Sequence, residues 1–142
     1  MPERYRFFFL LLVVITAVFT FINSVFFLIT DVTFVGNKSL TADELLQLAD
    51  IGERANYFKL DPQQVEGNLM GSPLIKEDTV QKIFPSSLNI EVMERVPIAV
   101  LPKEGYFVEI DRDGVAMAFI DRLPEKSMPI VTGIDTTIIT FG

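Results

Sequence analysis

The first third of this chain is dominated by one apolar stretch, residues 7–29, that carries no charged side chain. A helix rises about 1.5 Å per residue, so such a stretch covers the roughly 30 Å hydrocarbon core of a bilayer. Thr16 and Thr20 lie within it, but hydroxyls bond back to their own helix and need not interrupt it. The pattern predicts a single transmembrane helix over residues 7–29.

Charges on either side of the apolar stretch indicate its orientation. Arg4 and Arg6 precede it and Asp31 follows it. The positive-inside tendency then predicts a cytoplasmic tail over residues 1–6 and an extracytoplasmic remainder. A removable signal peptide is the alternative, yet its apolar region would end near Phe21, and no small-x-small site follows. An anchored protein is the preferred interpretation.

Composition excludes several classes of function. The chain has neither Cys nor His, and its acidic residues outnumber its basic residues by 19 to 12. His-based catalysis, Cys nucleophiles, disulfides and the usual zinc sets are therefore excluded, and an acidic surface disfavours nucleic acid. Asp111-Arg-Asp113-Gly114 resembles part of a calcium loop, but it lacks the closing Glu and is better interpreted as a turn. We expect no enzyme activity, cofactor or metal, and we expect protein partners.

Beyond the anchor the pattern predicts an α+β unit of order β-α-α-β-β. Thr41 and Glu44 have the spacing of a capping box, and Asp61-Pro62 is a second helix start. Residues 87–96 alternate cleanly, whereas residues 75–84 alternate poorly, which predicts a bulge or an edge strand. Glu94 falls in the apolar phase and is expected to be solvated or paired with Arg95 or Lys82. The expected core is Phe34, Leu45, Leu48, Val65, Leu69, Leu88, Ile90 and Val92.

A series of short motifs then occurs in order behind the anchor. These motifs are Phe34-Val-Gly-Asn37, Leu40-Thr-Ala-Asp-Glu44, Asn56-Tyr-Phe58 with Leu60-Asp61, Pro73-Leu-Ile75-Lys76, Phe84-Pro85, Glu94-Arg-Val-Pro-Ile-Ala-Val-Leu101 and Met128-Pro-Ile-Val-Thr-Gly133. Each motif is weak alone, but together, at this spacing, they resemble the FtsQ/DivIB family of bacterial cell-division proteins. The resemblance extends over nearly the whole chain.

This resemblance implies a POTRA domain at residues 30–97 and a truncated antiparallel β domain at residues 98–142. It implies a non-catalytic scaffold at the division septum that links early and late division proteins and helps to control septal peptidoglycan synthesis. The implied partners are other division proteins, including small single-pass coiled-coil proteins and septal synthase components, with membrane lipid around the anchor. A POTRA-bearing adaptor for envelope protein transport, or another membrane-anchored binding module, is the alternative. The motif residues with implied structural roles are Gly36, Asn37, Pro85, Glu94, Arg95 and Pro97.

The β segments supply three further expectations. Residues 106–110 and 115–119 alternate around the turn signal Asp113-Gly114, which predicts a hairpin, and residues 136–141 form a last β-prone segment. Residues 75–84 carry the charges by which sheets protect an edge, so this strand is also a candidate docking edge. The candidate partner-binding residues are Lys76, Asp78, Gln81 and Lys82.

Overall fold

The computed structural model describes residues 3–103, 105–123 and 128–133. It begins with helix α1 (Glu3–Ile22), of which Arg4–Ile22 is long and apolar enough to cross a membrane, and residues 4–21 of this helix are exposed. The Thr16 and Thr20 hydroxyls donate to the carbonyls four residues earlier, as expected, and leave the helix unbroken.

Helix α1 ends seven residues earlier than the sequence predicts. After Ile22 the chain turns into a short 3₁₀ helix (Val25–Phe27), and the Phe27 side chain is buried. The Asn56 side-chain amide donates to the Ile22 carbonyl (3.0 Å), which satisfies one of the free carbonyls at the helix end. Within this segment Phe27 is buried and Ile29 packs against the core of the domain, whereas Val25 and Phe26 are exposed. Hydropathy alone does not distinguish packing of this kind from membrane insertion.

A three-stranded sheet follows, with two helices between its first and second strands. Its elements are β1 (Asp31–Val35), α2 (Ala42–Ala49), α3 (Pro62–Met70), β2 (Ile75–Ile83) and β3 (Ser87–Glu94). The strand order is β1-β3-β2, with β1 parallel and β2 antiparallel to β3. The predicted β-α-α-β-β order and the α+β class are confirmed.

The two helices cover one face of this sheet, and the core lies between them. Both helices begin at the predicted caps: Thr41 and Glu44 form the capping box, and Asp61 accepts from the Gln63 N–H. All eight predicted core residues contribute, with Phe34 and Leu48 partly buried, and Ala49, Ile75 and Val80 complete the cluster. Helix and strand periodicity therefore identified the core correctly.

β2 is an edge strand with an irregular start, as its poor alternation predicts. It pairs only with β3 in this sheet, and the register shifts between Ile75 and Glu77. The shift places Lys76 in a bulge and restores alternation from Glu77 onward. Pro85 follows a cis peptide bond in the turn that connects β2 to β3.

A second, smaller sheet consists of β4 (Ala99–Lys103), β5 (Tyr106–Ile110) and β6 (Ala116–Ile120) in antiparallel order. Val100 on β4 also exchanges backbone hydrogen bonds with Pro129 and Val131, so this segment lies against the other edge of β4. The small core of this second sheet is formed by Leu101, Val108 and Ala116. The last β-prone segment, residues 136–141, lies outside the described residues.

Candidate partner-binding surfaces

The free edge of β2 is the first candidate surface. The Val80 N–H donates to the Glu66 carboxylate on α3 (3.0 Å) and therefore points away from β3. Backbone groups in an antiparallel ladder alternate sides, so the N–H groups of Asp78 and Lys82 share this direction, whereas those of Thr79 and Gln81 face β3. One outward donor of this edge thus already has a side-chain partner from the same domain.

The four candidate binding residues do not share one face. Lys76, Asp78 and Lys82 alternate in phase with buried Val80, whereas Gln81 lies on the solvent face with Thr79. Lys76 Nζ pairs with Asp113 (2.9 Å), and Lys82 Nζ donates to the Leu60 carbonyl (2.9 Å) and lies over the Tyr57 ring. Asp78 and Gln81 therefore remain as the two candidates whose side chains form no ion pair or hydrogen bond with another residue of the described ranges.

Asp78 is an unusual residue for this position. It is half-buried, it lies opposite Val92 of β3, and its buried Oδ2 atom has no hydrogen-bond partner among the described residues. Burial raises the pKa of this carboxyl group, and the charge of Glu66 raises it further. A carboxylate under this strain favours a cationic or hydrogen-bond-donating partner.

The family motif residues Gly36, Asn37 and Glu94 meet in one loop at the end of the first sheet. Gly36 adopts φ +93°, and a Cβ at this position would lie 2.4 Å from the Val92 carbonyl oxygen, so glycine is required twice over. The Asn37 side chain then donates to the Leu40 carbonyl (2.8 Å). The loop leads directly into the capping box of α2.

Glu94 organises this loop with its carboxylate. Its two oxygens accept the N–H groups of Lys38 (2.7 Å), Ser39 (2.8 Å) and Leu40 (3.0 Å). Partial burial alone would raise the pKa of Glu94, but these backbone donors outweigh it and the pKa is lowered. The expected solvation or pairing with Arg95 or Lys82 is therefore wrong. Sequence reasoning missed the true partners because they are backbone groups more than fifty residues away.

Arg95 instead joins the first sheet to the second. Its guanidinium donates to Asp111 Oδ2 (2.6 Å), and Asp113 lies 3.6 Å away and also pairs with Lys76. Burial would raise the pKa of Asp111, yet Arg95 and the N–H groups of Val115 and Asp113 lower it. The Asp111 side chain shapes the turn to Gly114, which confirms a turn here. Half-buried Pro97 follows in the connection to β4.

Carboxylates are the main side chains of this chain that could bind a metal ion or act as general acids and bases, since it has neither His nor Cys. Among residues 3–103, 105–123 and 128–133, no three acidic side chains converge as metal ligands would. Two carboxylates of this region, Glu94 and Asp111, use their oxygens on backbone donors and Arg95. The features described above are an ion pair between the two sheets and an edge strand, β2, which is suited to contacts with other macromolecules.

Comparison with known proteins agrees with this geometry. A family model described as POTRA domain, FtsQ-type, matches residues 27–95. Cell division protein FtsQ of Bradyrhizobium diazoefficiens is 34% identical over 111 residues, which is 78% of this chain and 32% of that protein.

Two further relatives extend the comparison to other bacterial groups. FtsQ of Syntrophotalea carbinolica is 26% identical over 82% of this chain and 41% of its own length, and DivIB of Clostridium tetani is 27% identical over 77% and 41%. The matches thus span about a third to two-fifths of each relative's length. The α+β unit behind an apolar helix, the FtsQ-type match and these relatives together show that the chain belongs to the FtsQ/DivIB family of bacterial cell-division proteins.

Proposed function

We propose that this chain is a non-catalytic, membrane-anchored scaffold of the division complex that binds its partners through the extracytoplasmic POTRA domain. The observation that carries the proposal is the free edge of β2, which lies on a domain tied closely to an apolar helix. The membership of this chain in the FtsQ/DivIB family supports a role in cell division. The proposed partners are other division proteins, including small single-pass coiled-coil proteins and septal synthase components, at the septum.

The proposed orientation places the N-terminus in the cytoplasm. Arg4 and Arg6 lie at the start of α1, and the domain that follows begins with the exposed acidic residue Asp31. A periplasm-active reporter fused after residue 142 should be active, and a reporter active only in the cytoplasm should be silent. The reverse result would overturn the orientation and, with it, the proposed partners.

Partner binding at β2 would proceed by strand addition. An incoming strand would take the outward backbone groups of β2, including the Val80 N–H, and would displace the Glu66 carboxylate from it. The released carboxylate and nearby Asp78 would then face the partner. A partner strand with a basic residue opposite this pair would restore their charge balance.

Proline at position 78 tests strand addition directly. Asp78→Pro removes one outward N–H and should leave the β2–β3 ladder intact, since edge strands tolerate proline on the solvent side. Asp78→Ala removes the same carboxylate and keeps the N–H, so it is the matched control. We expect Asp78→Pro to lose septal localisation and partner crosslinking, and Asp78→Ala to keep most of both.

Thr79→Pro provides the structural reference for this experiment. It removes an N–H that faces β3, so it should destabilise the domain itself. If Asp78→Pro remains folded, localises to the septum and crosslinks its partners as the parent does, β2 is not the docking edge. If it unfolds as Thr79→Pro does, the assignment of outward donors is wrong.

A further inference from the structure

The uncharged part of α1 is short for a membrane. Residues 7–22 separate Arg6 from the helix end and rise about 24 Å at about 1.5 Å per residue, against a hydrocarbon core of roughly 30 Å. Arg4 and Arg6 can extend their side chains to the interface at the first end. At the other end, the apolar thickness must be completed by residues that follow Ile22.

Those following residues belong to the POTRA fold, so no free spacer separates the helix from the domain. Asn56 donates to the Ile22 carbonyl, the Tyr57 N–H donates to the Phe27 carbonyl (2.7 Å), and the Ile29 N–H donates to the Ala55 carbonyl (2.8 Å). The Phe27 ring is only 2% exposed and contacts Phe21 of α1 at 5.2 Å between centroids. The end of the helix and the start of the domain are thus one packed unit.

Three exposed phenylalanines surround this unit, and we call them the aromatic patch: Phe26, Phe58 and Phe84. Their rings lie 5.0, 4.8 and 6.0 Å from the Phe27 ring, and their side chains are 58%, 49% and 64% exposed. They come from three separate segments of the chain, so local sequence does not account for their convergence. The Tyr57 ring contacts Phe84 at the border of the patch, and the Lys82 ammonium group lies over the Tyr57 ring.

We propose that the aromatic patch is seated in the interfacial layer of the bilayer, so that the POTRA domain rests on the membrane. Its continuity with Phe21 of α1 and the short uncharged span of α1 select lipid as the occupant. Aromatic side chains are favoured at that depth, where apolar rings meet headgroups. The proposal rests on α1 crossing the membrane and is independent of any division partner.

The chain contains no tryptophan, so one introduced indole reports a single position. Phe84→Trp and Phe58→Trp place it in the patch, Val13→Trp places it within α1, and Met93→Trp places it near the far end of β3 on an exposed position. The full chain is reconstituted in phosphatidylcholine nanodiscs that contain two brominated lipids, one brominated near the glycerol end of its acyl chains and one near their methyl end. Fluorescence quenching is then compared among the four variants.

We expect both patch variants to be quenched roughly twofold or more above Met93→Trp, as for rings buried at the headgroup boundary. Quenching as weak as that of Met93→Trp, with Val13→Trp strongly quenched, would overturn the seating while keeping the anchor. Weak quenching of Val13→Trp would overturn the anchor itself. If the indole emission of the patch variants is blue-shifted but unquenched, and the shift depends on the protein-to-lipid ratio, the patch contacts a second copy of the chain. If quenching requires added anionic lipid, the contact is due to cationic side chains near the patch. Both results contradict the proposal.

Discussion

The two ends of the POTRA domain are joined to their neighbours by different physical means. At the end nearest α1, the joint consists of aromatic rings and backbone hydrogen bonds around Phe27, and residues 23–29 carry no charge. At the far end, the joint to the second sheet consists of ion pairs among Lys76, Arg95, Asp111 and Asp113. The difference indicates that acid should loosen the far joint and leave the near joint intact.

Each joint suits its surroundings. Apolar rings keep their packing energy beside lipid, where an unpaired charge would be costly. The Lys76–Asp113 pair lies beside water and is individually weak, whereas the Arg95–Asp111 pair is largely buried. The directional hydrogen bonds of these pairs orient one sheet on the other. We therefore expect the near joint to contribute mainly stability and the far joint to contribute mainly the relative placement of the two sheets.

The largest expected effect is at the near joint. Phe27→Ala removes a ring that is 2% exposed and should lower the free energy of unfolding by about 3–5 kcal/mol. Val25→Ala, two residues earlier and 80% exposed, is the control and should change it by less than about 0.5 kcal/mol. Chemical denaturation of the full chain in detergent micelles measures both. Equal effects of the two variants would mean that Phe27 does not join the helix to the domain.

Next in size is the ion pair of the far joint. Asp111→Asn keeps an oxygen for the Asp113 and Val115 N–H groups but leaves Arg95 without its nearest charge, at an expected cost of about 1.5–3 kcal/mol. Hydrogen exchange should increase in β4, β5 and β6 and stay unchanged in β1 and β3. Uniform loss of protection in both sheets would contradict a local joint.

Glu94 sharpens the comparison through pH. Glu94→Gln replaces one acceptor oxygen with an amide that repels a loop N–H, and we expect it to lower stability by about 1–3 kcal/mol at neutral pH. Because the folded pKa of Glu94 is lowered, its contribution is present above its usual value of 4.5 and is lost as pH falls below it. The difference in the free energy of unfolding between Glu94→Gln and the parent should therefore become smaller in acid. Glu77→Gln, at an exposed position, is the control. A difference between Glu94→Gln and the parent that is equal at all pH values would contradict a stabilising role of the Glu94 carboxylate.

The smallest expected effect has the opposite sign. The pKa of Asp78 is raised, so its charged form disfavours the fold, and stability gains as pH falls through the folded value. Asp78→Asn should stabilise the domain at neutral pH by up to about 1 kcal/mol, after allowance for solvent screening. Thermal unfolding with and without salt measures this gain. A destabilised variant would show that Asp78 makes a favourable contact within the fold.

Periodicity and capping chemistry predicted most of the framework because these signals are local. The Thr41–Glu44 capping box, the Asp61 cap and the alternation of Leu88, Ile90 and Val92 each report their own backbone within a few residues. The poor alternation of residues 75–84 likewise predicted an edge strand with a bulge. The backbone N–H groups of β2 that point away from β3 could not be assigned from the sequence, since their alternation depends on which residues of β2 and β3 pair.

The sequence by itself determined the apolar helix, the β-α-α-β-β order, the core and the family, because hydrophobic spacing and turn residues act over short distances. Only the tertiary structure decided that α1 ends at Ile22, that Glu94 binds the 38–40 loop, and that Glu66 occupies the Val80 N–H. Each of these depends on a hydrogen bond between residues that are distant along the chain, or between a side chain and a specific backbone group. Such bonds form only once the sheet, helices and loops have brought their partners within about 3 Å of one another.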